Sequence, residues 1–165
     1  MGREIERKFL VTGDGWRAEA EEWLDMRQGY LVLEGRSSVR VREAGERAWL
    51  NIKSAELGVE RREFEYPIPA ADAREMLAHL CRHPLVEKRR HRVPVGDHVW
   101  EVDEFFGDNA GLVVAEIELG HPDEPFRRPP WLGREVSHEA RYYNVRLVRH
   151  PYRDWSVAER GAGDE

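Results

Sequence analysis

Glu4-Ile5-Glu6-Arg7-Lys8 is the first periodic stretch of the chain, and its reading decides the rest. In a β-strand, side chains at i, i+2 and i+4 share one face, so Glu4, Glu6 and Lys8 look one way. The two carboxylates then stand roughly 7 Å apart along the strand, with an ammonium a similar step beyond. Carboxylates so placed can bracket a divalent cation, which prefers oxygen ligands and keeps part of its water. A lysine on the same face would meet the anion that such a cation carries. The stretch reads as part of a polyphosphate–metal site if other segments supply matching charges.

They do. Arg40 and Arg42 share a face of Ser38–Arg42, and Lys53 ends the strand that begins at Ala48. Lys88, Arg90 and Arg92 share a face of Glu87–Pro94, while Glu63/Glu65, Glu101/Asp103 and Glu116/Glu118 form acidic pairs. Charged and apolar positions alternate in nearly every strand candidate, and the charged face changes sign from strand to strand. One reading is an antiparallel sheet with a solvated face. The other turns the charged faces inward, because a sheet of about eight strands tends to curl or close. The interior is then a polar tunnel, and the outward apolar faces need cover. Two carboxylates about 4 Å apart repel by roughly 4 kcal/mol at an effective dielectric near 20. A metal on the acidic side and a polyanion on the basic side would relieve both repulsions.

Helical signals are fewer. Asp14 is an N-cap candidate for a helix carrying Trp16, Ala20, Trp23 and Leu24. The next strand is expected over Met26–Leu33. Ala73, Met76, Leu77, Leu80 and Cys81 fall on one helical stripe between Pro69 and Arg82, and Ala140–Val148 looks helical. The six tryptophans read as cover for the outside of the barrel. The stretch from about His150 loses periodicity and reads as a frayed tail onto which Trp155 can fold back.

A net charge of −6, from 26 basic and 32 acidic residues, excludes a general nucleic-acid footprint. No long apolar run suggests a membrane span. Cys81 alone cannot form an internal disulfide, which fits a reduced, cytoplasmic setting. The lone histidines show no ligand spacing, and His91 falls out of phase with Lys88 and Arg90.

The opening stretch, followed by Phe9-Leu10-Val11, resembles the ExExK signature of the CYTH, or triphosphate tunnel metalloenzyme, superfamily. Gln28-Gly29-Tyr30-Leu31, Val39-Arg40-Val41-Arg42, Lys53, Arg62-Glu63-Phe64-Glu65 and Lys88-Arg89-Arg90-His91 resemble it in order. So do Trp100-Glu101-Val102-Asp103, Ala115-Glu116-Ile117-Glu118-Leu119, Trp131–Val136 and Arg141-Tyr142-Tyr143-Asn144. The resemblance implies an α+β, mainly β chain: a domain over residues 1–148 with a tail over 149–165. That domain would be an eight-stranded antiparallel closed barrel with a charged interior and helices packed outside.

By position, the resemblance assigns Glu4, Glu6, Glu116 and Glu118 to Mg²⁺ or Mn²⁺, with Asp103 and Glu63 nearby. Glu65 would bind metal or neutralise arginines. Lys8, Arg40, Arg42, Lys53, Lys88 and Arg90 would hold phosphate oxygens. Tyr30 and Lys88 form a candidate catalytic pair with Glu4 and Glu6, although Tyr30 also reads as an ordinary strand aromatic. The family usually has an Asp where His138-Glu139 stands. The activity implied is hydrolysis of inorganic tripolyphosphate to pyrophosphate and phosphate. A class IV adenylate cyclase, a thiamine triphosphatase and a non-catalytic triphosphate or polyphosphate binder are the alternatives. A homodimer is left open.

Overall fold

The computed structural model describes residues 2–161. Eight strands carry the barrel: β1 (Arg3–Val11), β2 (Glu22–Val32), β3 (Ser37–Ala44), β4 (Arg47–Ser54), β5 (Glu60–Ile68), β6 (Arg82–Val95), β7 (His98–Phe105) and β8 (Val113–Glu118). They run antiparallel in the order β5-β4-β3-β2-β6-β7-β8-β1, and β1 closes the ring by pairing with β5, Glu4 opposite Arg61. A short β9 (Leu132–Glu135) pairs with the far end of β1. The inward turn of the charged faces is therefore the one adopted, and closure leaves no barrel edge unpaired.

The outward apolar faces are covered in two places. Phe9, Val93, Val95, Trp100, Val102, Ala115 and Ile117 form a buried layer on the β6-β7-β8-β1 wall, under Trp16 and Trp131. Val41 and Ala48, on the β3-β4 wall, pack against Ala73, Leu77 and Cys81, which lie in and just after α2 (Ala70–His79). His91 is outward, as its phase requires, and buried against the Trp16 ring with its Nε2 near Glu104.

A third cluster lies inside the barrel and plugs one end. Tyr30, Val86, Phe105 and Val114 project inward from four strands and meet Val136, Tyr142, Leu147, Val148 and Trp155. Trp155 does pack back: its Nε1 donates to the His150 carbonyl at 2.9 Å. The segment after His150 is built from a 3₁₀ turn (Tyr152–Asp154) and a short helix (Val157–Gly161). Up to residue 161 it is part of the body, and residues 162–165 lie outside the described residues.

Several expected elements differ. The first helix, α1, spans only Trp16–Glu19, with Gly15 rather than Asp14 at its N-cap. Trp23 and Leu24 belong to β2, which starts at Glu22 because eight register pairs with β6 outweigh the helical pattern. Leu80 leaves the α2 stripe as its exposed C-cap, and β6 begins at Arg82, ahead of the expected Glu87. Ala140–Val148 divides into a 3₁₀ turn (Ala140–Tyr142) and α3 (Asn144–Leu147). Tyr143 between them is extended, and its hydroxyl donates to the Ser137 carbonyl at 2.5 Å and accepts from the Gly58 amide. Of the tryptophans, Trp16, Trp100 and Trp131 cover the outside, Trp155 joins the plug, Trp23 is exposed and Trp49 faces the cavity.

Candidate active site

With one end plugged, the barrel encloses a cavity of about 330 Å³. The two-residue period of each strand delivers its charged side chains here. Glu4, Glu6 and Lys8 come from β1, Arg40 and Arg42 from β3, Lys53 from β4, and Glu63 and Glu65 from β5. Lys88 and Arg90 come from β6, Glu101 from β7, and Glu116 and Glu118 from β8. Tyr30 borders the cavity at its plugged end. Arg92, in phase with Arg90, lies beyond the cavity and pairs with Glu22.

Most of the charges are partnered. Lys53 Nζ lies 3.1 Å from Glu4, and Lys8 Nζ 3.1 Å from Glu116. Arg90 donates to Asp103 through Nε and Nη2 and to Glu116 at 2.8 Å. Against the opposing effect of burial, Lys8, Arg90, Lys88 and Lys53 hold Glu116 well below the usual carboxylate range. Lys53 and Arg61 likewise hold Glu4 low against burial.

Asp103 is placed differently from its expected role beside a metal. It is 1% exposed and absent from the cavity lining, and its oxygens are occupied by Arg90 and by Lys88 Nζ at 2.7 Å. It anchors two cations from inside the barrel, buried beneath them. Burial, with Arg90 and Arg42 close by, draws Lys88 down to about 7.

Among the described residues, two of the cavity's arginines lack a carboxylate partner. Arg40 is 7% exposed, its side chain makes no hydrogen bond or ion pair among the described residues, and its Nε is buried unsatisfied. Arg42 is bonded only through Nε, to Gln28. Burial, with Arg40 and Arg90 adding repulsion, lowers the Arg42 guanidinium to about 9. Unpaired buried guanidinium groups are costly, and a bound anion removes that cost.

The acidic side shows the converse. Glu6 and Glu118 stand directly opposite each other on β1 and β8, and neither makes an ion pair among the described residues. Directly opposed like charges destabilise a sheet. Burial, with Glu116 and Glu4, pushes Glu6 up to about 8, and burial, with Glu4, Glu101 and Glu63, raises Glu118. Among the described residues no three acidic, histidine or cysteine side chains form a ready-made metal cage. An opposed carboxylate pair still suits a hard divalent cation, which takes its remaining oxygens from phosphate and water.

The cavity also contains groups not anticipated from sequence. Arg61 lies 3.7 Å from Glu4 and stacks on the Tyr143 ring, whose centroid is also 4.9 Å from Lys8 Nζ. Arg61 precedes Glu63 and Glu65 by the same two-residue step, so phase alone could have found it. Ser38 and Asn51 follow from Arg40 and Lys53 in the same way. Tyr143 and Asn144 have no such signal, since they enter from the plug. His138 and Glu139 stay outside the cavity lining, and Glu139 pairs with Arg134 and Arg141.

A closed antiparallel barrel with opposed acidic and basic walls defines the class of protein, and comparison with known proteins gives the family. The CYTH domain model matches residues 2–152, and the chain belongs to that family. An inorganic triphosphatase of Acetivibrio thermocellus is 44% identical over 155 residues, covering 94% of this chain and 99% of that protein. One from Nitrosomonas europaea is 37% identical over 151 residues, covering 88% and 96%. The crystal structure of the inorganic triphosphatase NE1496 superposes with a TM-score of 0.63 at 33% identity, covering 88% of this chain and 97% of that one. HpAC1 from Hippeastrum, a putative adenylyl cyclase with a dominant triphosphatase activity, shares the fold at 14% identity and a TM-score of 0.53. No helix among the described residues is long and apolar enough to cross a membrane.

Proposed function

We propose that this protein hydrolyses inorganic tripolyphosphate to pyrophosphate and phosphate with Mg²⁺ or Mn²⁺, in the cytoplasm. The observation that carries the reading is Arg40: a guanidinium inside a walled cavity, nine-tenths buried, with no side-chain partner among the described residues. Such a group calls for an anion. The cavity lining is mostly charged or amide-bearing, which suits a chain of phosphates better than an adenine or thiamine ring. The two relatives named as inorganic triphosphatases support the same choice. Divalent-metal dependence is what membership of the family implies.

Phosphoryl transfer asks a protein mainly for positioning and charge stabilisation. Arg40, Arg42, Lys53 and Lys8 would bind phosphate oxygens along the basic wall, with Arg61 as a further cation. Lys88 and Arg90, braced by Asp103, would stabilise charge on the phosphate being transferred or released. Glu6 and Glu118, flanked by Glu4, Glu116 and Glu63, would hold the divalent ion, which would supply positive charge against the phosphates and would lower the pKa of a water. Tyr30, opposite Arg40 in register and bordering the cavity, would orient the attacking water.

The test is phosphate release from tripolyphosphate, ATP and thiamine triphosphate with Mg²⁺ or Mn²⁺, alongside a cyclic AMP assay. Tripolyphosphate turnover well above the others is expected. Cyclic AMP formation, or tight triphosphate binding without product under either metal, would overturn the reading.

A further inference from the structure

At the plugged end of the cavity two carboxamides stand in series between two cations. Gln28 is wholly buried and Asn144 nine-tenths buried. Arg42 Nε donates to Gln28 Oε1 at 2.9 Å, and Gln28 Nε2 donates to Asn144 Oδ1 at 2.7 Å. Lys88 Nζ donates to the same Asn144 oxygen at 2.9 Å. Arginine and lysine carry donors only, so each amide turns its oxygen toward a cation. Flipping either amide would set N–H against N–H. The cations thus orient the amides, and the amides hold the cations in place.

Neutral partners matter here. Lys8, Lys53 and Arg90 are held by carboxylates, which fix a cation but cancel much of its charge; Lys88 has one carboxylate, Asp103, beside its amide, and Arg42 has the amide alone. Gln28 locates Arg42 through Nε alone, leaving both terminal nitrogens without a protein hydrogen bond in a cavity that Arg42 lines. Lys88 spends one N–H on Asp103 and one on Asn144, and its third remains for a ligand. Asn144 also lines the cavity, and it arrives on α3, from the C-terminal segment.

We propose that Gln28 and Asn144 are positioning residues that aim Arg42 and Lys88 at a bound polyphosphate. Through Asn144 the C-terminal segment takes part in recognising substrate as well as closing the barrel. This rests on the tripolyphosphatase reading and deepens it.

The experiment uses the full chain as wild type, Gln28→Ala, Asn144→Ala, the double variant, Asn144→Asp and Arg40→Ala. Calorimetric binding of tripolyphosphate and steady-state turnover are measured well below each variant's Tm. Gln28→Ala should raise KM about tenfold and Asn144→Ala lower kcat about tenfold, the effect of one lost hydrogen bond to a charged group. The double variant should lose less than the product of the two, because both act in one chain. Asn144→Asp keeps the acceptor but sets a second carboxylate beside Lys88, which Asp103 already pairs, and should weaken binding at least about tenfold. Wild-type binding and kinetics in both single variants, with only a lower Tm, would overturn the inference and leave the tripolyphosphatase reading intact. Losses that simply multiply would do the same. Failure of the wild type to bind tripolyphosphate, or undiminished binding by Arg40→Ala, would overturn the reading itself.

Discussion

Glu6→Gln should make the metal-free protein more stable at neutral pH while removing its activity. In the folded chain burial, Glu116 and Glu4 push the Glu6 carboxyl from 4.5 up to about 8. The folded state therefore holds a proton that the unfolded chain releases, and stability falls as pH rises from about 4.5 to about 8. At pH 7, about 2.5 pH units above the ordinary value, the full penalty would be roughly 3.4 kcal/mol. Glu6 lines a cavity open to water and is only half-buried, so screening brings this to about 2 kcal/mol. Glutamine has the shape of the protonated acid and escapes the penalty. For a chain of this size about 2 kcal/mol corresponds to a Tm about 4–8 °C higher. The assay is thermal unfolding in a chelator at pH 7 and at pH 5, where the difference should shrink to about 1 °C. With excess Mg²⁺ and tripolyphosphate the order should reverse, since only the wild type gains a tightly held ion. Turnover should fall by at least about two orders of magnitude. An equal or lower Tm for Glu6→Gln at pH 7 in chelator would refute the claim that Glu6 faces uncompensated negative charge.

Arg40→Ala should raise KM for tripolyphosphate by about 10- to 100-fold, measured by phosphate release, because it removes a charge-assisted contact of about 1.5–3 kcal/mol. Its metal-free Tm should not fall, since the guanidinium has no protein partner to lose. Gly29→Ala should destabilise by about 1–3 kcal/mol in a denaturant titration, because a Cβ there would come within 2.8 Å of Cys81 Cβ and Leu85 Cδ2. Trp155→Ala should cost about 3–5 kcal/mol in the same titration, through lost packing on Tyr142 and Tyr152 in the barrel plug.

Much of the barrel and of its charged lining is legible in the sequence. A strand's side chains alternate, so Glu4, Glu6 and Lys8 had to share a face, as did Arg40 with Arg42 and Glu116 with Glu118. Phase also kept His91 outside. Arg61 was legible and passed over, because Arg61 and Arg62 are adjacent and only the step back from Glu63 tells which one faces inward. The first helix was misread since Trp16, Ala20, Trp23 and Leu24 imitate a helical stripe, whereas pairing with β6 takes Trp23 and Leu24 into a strand.

The amino-acid sequence by itself determined which side chains share a strand face and which sign each face carries, because the two-residue period is a property of the local backbone. Tertiary structure alone decided which carboxylates are answered by a cation. Asp103 and Glu101 are in phase, yet Asp103 is buried between Lys88 and Arg90 while Glu101, within 3.4 Å of Arg90, still lines the cavity. It also decided that Tyr143 and Asn144 enter the site, by folding the C-terminal segment into one end of the barrel. Registers between strands and the path of a distant segment depend on packing across the whole ring, and no local periodicity records them.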